Sequence, residues 1–246
     1  MRISLTSLFK IILHPLVWER LGQAKQELKW ARKKYQCDEN LIPIFKKYLS
    51  KSNGFYVDIG ANDGRSFSNT YHLEKSQGWR GILVEPIMHV HFRSRQIRDM
   101  NRNVFFNCAI VGKDYDKEVV ELLYSGLMTV VKKIGGGALG TENWAMSGSK
   151  FLSRGELVTK TFSLARTAES ILIEANAPTR IRFLSIDVEG AEFSVLDGLN
   201  FSNWIFEYIL IETNKGSPAF LKLTQASYIH IESVKQNLLF VHPSMI

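Results

Sequence analysis

Between Ser185 and Glu192 the chain reads Ser-Ile-Asp-Val-Glu-Gly-Ala-Glu, which places three carboxylates, Asp187, Glu189 and Glu192, within six residues. Acids this close repel one another unless a proton, a cation or a helix N-terminus accepts their charge. The chemistry such a cluster can do is to take a proton from a reacting group, or to seat a hard cation on oxygen ligands. Asp187 and Glu189 are the candidate catalytic residues, and Glu192 suits the start of a helix after Gly190. A purely structural role for the acids, as caps of that helix, accounts for the same pattern. Farther on, Ile211-Glu212-Thr213-Asn214 supplies another acid and an amide, so Asp187, Glu212 and Asn214 form a candidate Mg²⁺ site. His72, His89, His91 and His230 are weaker candidates for a general base.

A second group of residues speaks of a ligand rather than of a reaction. Phe55 to Gly64 reads Phe-Tyr-Val-Asp-Ile-Gly-Ala-Asn-Asp-Gly: apolar residues fit for a buried strand, an acid near its end, then a turn bounded by two glycines. A strand running into such a turn is how doubly wound α/β proteins build a nucleotide site at the carboxyl edge of the sheet. The dinucleotide pattern wants Gly at positions one, three and six of the turn, whereas Gly60, Asn62 and Arg65 stand there. A P-loop fails too, for lack of Gly-Lys-Ser/Thr. Asp58 would repel a pyrophosphate but suits a ligand with an ammonium, a sulfonium and a ribose diol, and S-adenosylmethionine carries all three. Glu85, 27 positions after Asp58 and followed by Pro86, stands where a carboxylate can accept both ribose hydroxyls. Asn107-Cys108-Ala109 lies where the adenine edge would reach. The candidate cofactor residues are therefore Asp58, Gly60, Asn62, Gly64, Glu85, Asn107, Ala109 and Asp187.

The elements that must position these residues are legible as an alternation of strands and helices. Phe55–Ile59, Gly81–Glu85, Val104–Ile110, Arg182–Asp187 and Tyr208–Glu212 read as parallel strands. Helices are expected over Ser66–Ser76, Ile87–Met100 and Ala191–Leu196, and a C-terminal antiparallel hairpin over Tyr228–Val234 and Leu238–Val241. The sum is a mostly parallel seven-stranded sheet of Rossmann-like topology closed by the hairpin. Residues 1–50 read as a helical N-terminal extension with a short helix over Leu41–Leu49, and 51–246 as one α/β domain. The Gly-, Ser- and Thr-rich stretch 123–161 lacks periodicity and reads as a lid on the substrate side.

Composition narrows the class. A chain of 246 residues with 45% hydrophobic content can bury one substantial core. Two cysteines, Cys37 and Cys108, exclude a disulfide scaffold and a thiolate zinc site. The net charge of +7 suits an anionic acceptor or an anionic membrane surface. Lys10 and His14-Pro15 interrupt the apolar residues of Met1–Val17, so the expected location is the cytoplasm. The basic face of residues 1–35 suits peripheral membrane contact, although a solvated face over a packing stripe explains it equally. Arg93, Arg95, Arg98 and Arg102 read as a solvated helix face, and no nucleic-acid partner is expected.

Four segments together resemble FkbM-family methyltransferases: Val57–Gly64, Gly78–Pro86, Phe183–Glu192 and Asn237–Val241, in that order and bracketing roughly 52–243. The resemblance implies a class I methyltransferase fold and methyl transfer from S-adenosylmethionine, usually to a hydroxyl. It implies cofactor contacts at Asp58, Gly60, Asn62, Gly64 and Glu85, with Asp187 and Glu189 beside the methyl donor. The expected activity is O-methylation of a sugar, nucleotide-sugar or polysaccharide hydroxyl. A nucleic-acid methyltransferase and a non-catalytic S-adenosylmethionine-binding domain are the alternatives.

Overall fold

The structure is a computed structural model that describes residues 36–131, 146, 148–152 and 157–246. In chain order its regular elements are α1 (Ile42–Tyr48), β1 (Phe55–Ile59), α2 (Tyr71–Gln77), β2 (Arg80–Val84), α3 (Met88–Ile97), β3 (Asn103–Phe106) and β4 (Ala109–Val111). Then come β5 (Val119–Tyr124), β6 (Val130–Val131), β7 (Thr159–Thr167), α4 (Ala168–Glu174), β8 (Arg180–Ile186) and α5 (Glu192–Asp197). The chain closes with β9 (Ile205–Glu212), α6 (Pro218–Gln225), β10 (Ile229–Val234) and β11 (Asn237–Val241).

Seven strands form the main sheet in the order β10-β11-β9-β8-β1-β2-β3. β11 runs antiparallel to β9 and β10, while β3, β2, β1, β8 and β9 are parallel neighbours. This is the expected Rossmann-like sheet with its antiparallel C-terminal pair. The central parallel strands β1, β2, β8 and β9 are largely buried on both faces because helices cover both. Val57 and Ile59 of β1 join a core with residues of α4, α5 and α6. Tyr56, on the opposite face of β1, joins a second core with Leu41, Ile44 and Phe45 of the α1 region, Leu73 of α2 and Trp79. Gln36–Leu49, the end of the expected N-terminal extension, thus supplies part of that second core; residues 1–35 lie outside the described residues.

The chain departs from β1 to β2 and β3 on one side, then returns to β8 and β9 on the other. The strand order therefore reverses between β1 and β8, the switch point where doubly wound sheets bind ligands. The carboxyl ends of β1, β2 and β8 are level there: Ile59 pairs with Val84 on one side and Ile186 on the other. The ladder runs one step further, as Gly60 and Ala61 donate their N–H to the Val84 carbonyl and Asp187 donates to that of Ile59.

Three expectations change. The single strand expected over Val104–Ile110 is two strands in two sheets. Asn107 causes the break: its Nδ2 donates to the carbonyls of Glu85 and Pro86, so the chain is tied at the sheet edge and leaves the β2 ladder. β4 then opens a second sheet, order β4-β7-β5-β6, that the sequence did not disclose. Val120, Leu122 and Tyr124 of β5 bury their side chains with Ile87, Val90 and Ala109. The helix expected from Ser66 starts only at Tyr71, because Asp63 binds the amides of Arg65 and Ser66 in a tight turn and Phe67 sits at φ +59. Of the stretch 123–161, Leu123–Tyr124 ends β5 and Thr159–Thr161 begins β7; residues 132–145, 147 and 153–156 lie outside the described residues. No helix among the described residues is long and apolar enough to cross a membrane.

Candidate active site

An open cleft lies over the switch point. The loop after β1 contributes Gly60 and Asn62, the end of β2 contributes Glu85 and Pro86, and the loop after β8 contributes Asp187, Val188 and Glu189. Cys108, Ala109 and Ile110 form another wall, and Leu122, Gly126, Thr129 and Val131 bring in the second sheet.

Gly60 is required by geometry. Its φ is +88, and a Cβ there would stand 1.8 Å from the Asp187 carbonyl oxygen. The first turn of the ligand loop is thus pressed directly onto the loop that carries the acids. Asn62, at φ +49, points its N–H at Glu85 Oε2 (3.0 Å), while the Ile87 N–H donates to Glu85 Oε1 (2.8 Å). Each carboxylate oxygen then keeps a lone pair for a ligand hydroxyl. Burial pushes the Glu85 carboxyl up to about 7, and the two backbone donors only partly offset it.

On the facing wall the electrostatics are different. The oxygens of Asp187, Glu189 and Glu212 approach within 4.8 Å of one another. Burial raises the Asp187 carboxyl well above its ordinary value, and the charges of Glu212 and Glu189, a hydrogen bond with Glu212, and the Glu192 charge raise it further. Glu189 sits at φ +53 in the turn that delivers it. Glu192 Oε1 accepts the Gly190 N–H at 2.8 Å and so braces that turn. Three carboxylates of this kind also fit a divalent cation by donor type. Asn214, the amide expected in that site, is exposed beyond the end of β9.

Of the residues anticipated for the cofactor, Gly60, Asn62, Glu85, Ala109 and Asp187 line one cleft. Asn107 stands beside it, its Nδ2 bonded to the carbonyls of Glu85 and Pro86. Asp58 and Gly64 are not among the lining residues. The Asp58 carboxylate is buried, accepts the Thr70 hydroxyl, and is raised by burial against hydrogen bonds from Thr70, Ser68 and Ser185 and the charge of Arg98. Gly64, at φ +77, offers its carbonyl to Arg98 Nη1 at 2.8 Å. Among the four histidines, His72 packs against Phe45, His91 faces Phe105, and His230 Nε2 meets the Glu232 carbonyl; none of the four lines the cleft.

The four arginines do not share a solvated helix face. Arg98 follows the last turn of α3, where the backbone turns extended, and buries its guanidinium against Glu74. Thr129 and Val131 were not anticipated as lining residues, since the stretch around them has no periodicity to reveal a strand pair.

Residues 58–234 match the family model described as the Methyltransferase FkbM domain, inside the span bracketed by the sequence motifs. No curated protein matches this sequence. Among solved structures, the chain is similar to a methyltransferase FkbM from Methylobacillus flagellatus KT, at 15% identity and a TM-score of 0.42 over 77% of this chain and 44% of that one. It is also similar to a TehB-like SAM-dependent methyltransferase from Corynebacterium glutamicum (10% identity, TM-score 0.39, 93% and 100% covered). A third is a precorrin-6y C5,15-methyltransferase from Geobacter metallireducens (10% identity, TM-score 0.37, 85% and 93% covered). The chain spans less than half the length of the first of these.

Proposed function

This chain belongs to the FkbM methyltransferase family, and on that premise we propose that it transfers a methyl group from S-adenosylmethionine to a hydroxyl of a sugar, nucleotide-sugar or polysaccharide acceptor. The observation that carries the proposal is that Glu85 and the pair Asp187 and Glu189, with a Glu212 oxygen within 4.8 Å of theirs, line one cleft from separate loops at the switch point. One wall offers a preset carboxylate to a ribose, the other a base to an acceptor.

S-adenosylmethionine, when bound, supplies an electrophilic methyl group on a positively charged sulfur. The residues of the chain do the rest. Glu85 takes the ribose hydroxyls on the lone pairs left by Asn62 and Ile87. Gly60 lets a ligand approach the backbone, and Ala109 leaves room for a base on the other side of the cleft. Cofactor contacts at Asp58 and Gly64 are indirect in this reading, through the loop they brace. The acceptor hydroxyl gives its proton to the Asp187 carboxylate, which burial and the charges of Glu212 and Glu189 make a stronger proton acceptor than an ordinary aspartate. A base so placed contributes about 10²–10⁴-fold, and alignment of the two reactants contributes the remainder. Glu189 orients the acceptor beside it. The net charge of +7 favours an acceptor that is itself anionic. Cytoplasmic action, with contact to a membrane surface through residues 1–35, fits that acceptor.

Mg²⁺ on Asp187 and Glu212 is the second reading of the acid group, favoured by its all-oxygen donors. Labelled methyl donor, incubated with free and nucleotide-linked sugars in buffer containing either Mg²⁺ or excess EDTA, tests both readings. Transfer to a sugar in EDTA supports the carboxylate base, transfer only with Mg²⁺ supports the metal, and absence of transfer to every sugar removes the acceptor class.

A further inference from the structure

A heavily bonded charged side chain lies outside the cleft. Arg98 is fully shielded from solvent, with 0% of its side chain exposed, and faces Glu74, of which 1% is exposed. Its Nε donates to Glu74 Oε2 at 2.6 Å. Nη1 donates to the Gly64 carbonyl at 2.8 Å and to Ser68 Oγ at 3.3 Å. Nη2 donates to Thr70 Oγ1 at 3.0 Å and to the Tyr56 hydroxyl. The Thr70 hydroxyl in turn donates a hydrogen bond to Asp58 Oδ2, and the Tyr56 hydroxyl donates one to Asn103 Oδ1. Asn103 Nδ2 returns to Glu74 Oε2 at 2.7 Å. Against the cost of burial, the Arg98 charge and the Lys75 and Arg98 hydrogen bonds bring Glu74 down to about 2.

This is an expensive arrangement for mere stability. A buried ion pair repays its desolvation only when its remaining hydrogen bonds are met, and apolar residues of the same volume often do as well. The direction in which the fork points is more informative. Three of its acceptors, Gly64, Ser68 and Thr70, belong to the segment that leads from the ligand loop into α2. The same loop holds Glu85 with the amide of Asn62, two residues before Gly64. Between them Asp63 binds the amides of Arg65 and Ser66. The near end of the loop is pressed against Asp187 at Gly60 and the far end is pinned by Arg98. A Cβ on Gly64 would come within 2.9 Å of Arg98 Cγ, so there is no slack between pin and loop.

We propose that Arg98 is a positioning residue for the cofactor site: through the Gly64 carbonyl and Thr70 it fixes the 60–70 loop, and with it the Asn62 amide that orients Glu85. This inference rests on the assignment of the cleft to S-adenosylmethionine. Lysine cannot replace the planar fork, since it offers one point of charge where three directions of donation are used. A site supported this way loosens when its outer contacts go, even though no contact with the ligand is removed.

Arg98→Lys, which keeps the charge beside Glu74, and Thr70→Val, which keeps the shape, are compared with the unchanged protein and with Arg182→Lys. Arg182 pairs with Glu207 at 2.6 Å near the amino-terminal end of β8, away from the cleft, and serves as the control for a lost ion-pair fork. Two readouts are taken: calorimetric Kd for S-adenosylhomocysteine, and hydrogen exchange of the 62–68 amides without ligand. Arg98→Lys is expected to raise Kd about tenfold or more, with Thr70→Val moving the same way. Exchange at 62–68 quickens in both, and Arg182→Lys changes neither readout at comparable loss of thermal stability. Unchanged Kd and unchanged exchange in Arg98→Lys and Thr70→Val overturn the proposal, leaving Arg98 a purely structural residue. If Arg98→Lys does not fold, Thr70→Val decides. If the unchanged protein itself binds no S-adenosylhomocysteine, the reading of the cleft fails, and the exchange of 62–68 still decides whether Arg98 holds the loop.

Discussion

The two walls of the cleft are built on opposite electrostatic plans. On the β1–β2 wall, each Glu85 oxygen is held by one backbone donor, from Asn62 and from Ile87, and the loop that supplies the first is pinned at Gly60 and again by Arg98. On the β8–β9 wall, Asp187, Glu189 and Glu212 crowd their oxygens within 4.8 Å, and burial with the charges of Glu212 and Glu189 raises the Asp187 carboxyl well above its ordinary range. The first wall is preorganised to receive a ligand, as binding requires. The second stores unfavourable charge, which is what a group with a proton to trade needs. Binding and chemistry should therefore come apart under mutation, one wall at a time.

The largest effect should fall on turnover. Asp187→Asn removes the base and is expected to lower kcat about 10²–10⁴-fold while the Kd for S-adenosylhomocysteine, read by calorimetry, stays within about threefold of the original. A parallel loss of binding would erase the distinction between the walls. Gly60→Ala should do the reverse and strike binding first. A Cβ placed 1.8 Å from the Asp187 carbonyl at φ +88 must push the two loops apart. The expected cost is about 3 kcal/mol in thermal or urea unfolding and about 100-fold in ligand affinity, and retention of both would show that the loops are not in contact.

Glu85 sharpens the comparison through pH. Its carboxyl rises from an ordinary 4.5 to about 7, so between those values the native protein holds a proton that the unfolded chain has lost. Stability of the ligand-free protein should therefore fall as pH climbs through that window, by on the order of 3 kcal/mol. Glu85→Gln should flatten that part of the urea-unfolding profile. Ligand affinity runs the other way, because the ionised carboxylate is the stronger acceptor: Kd should fall as pH rises through about 7. In Glu85→Gln it should be about tenfold weaker and insensitive to that pH range. The smallest expected effect is that of metal removal. If Asp187 acts as the base without a metal, exhaustive EDTA changes kcat by less than about twofold; a large loss, restored by Mg²⁺, transfers the acid group to the metal reading.

The main sheet was readable because its strands are short apolar runs bounded by acids and glycines, and Phe55–Ile59 lies where the pattern placed it. Gly60 and Glu85 were readable as chemistry because a strand-end turn and a neighbouring strand-end acid have few other uses. The second sheet was not readable. β5 alternates buried and half-buried residues, but its partner β7 begins 35 positions after Tyr124 and pairs only through the tertiary fold. Arg98 was misread for a related reason. Its neighbours Arg93 and Arg95 lie on α3, and helical periodicity extended the face one turn too far, past the point where the backbone becomes extended and the side chain turns inward. Asp58 shows the limit of reading a site from a strand end: its position suggested a ligand contact, while Thr70, twelve residues on, takes its carboxylate.

The most direct test is a single calorimetric series: S-adenosylhomocysteine titrated at pH 8 into the unchanged protein and into Asp187→Asn. Binding of one ligand per chain in both, with closely similar Kd and with methyl transfer surviving only in the first, is the predicted result. No heat of binding at millimolar ligand in the unchanged protein would contradict the assignment of the cleft.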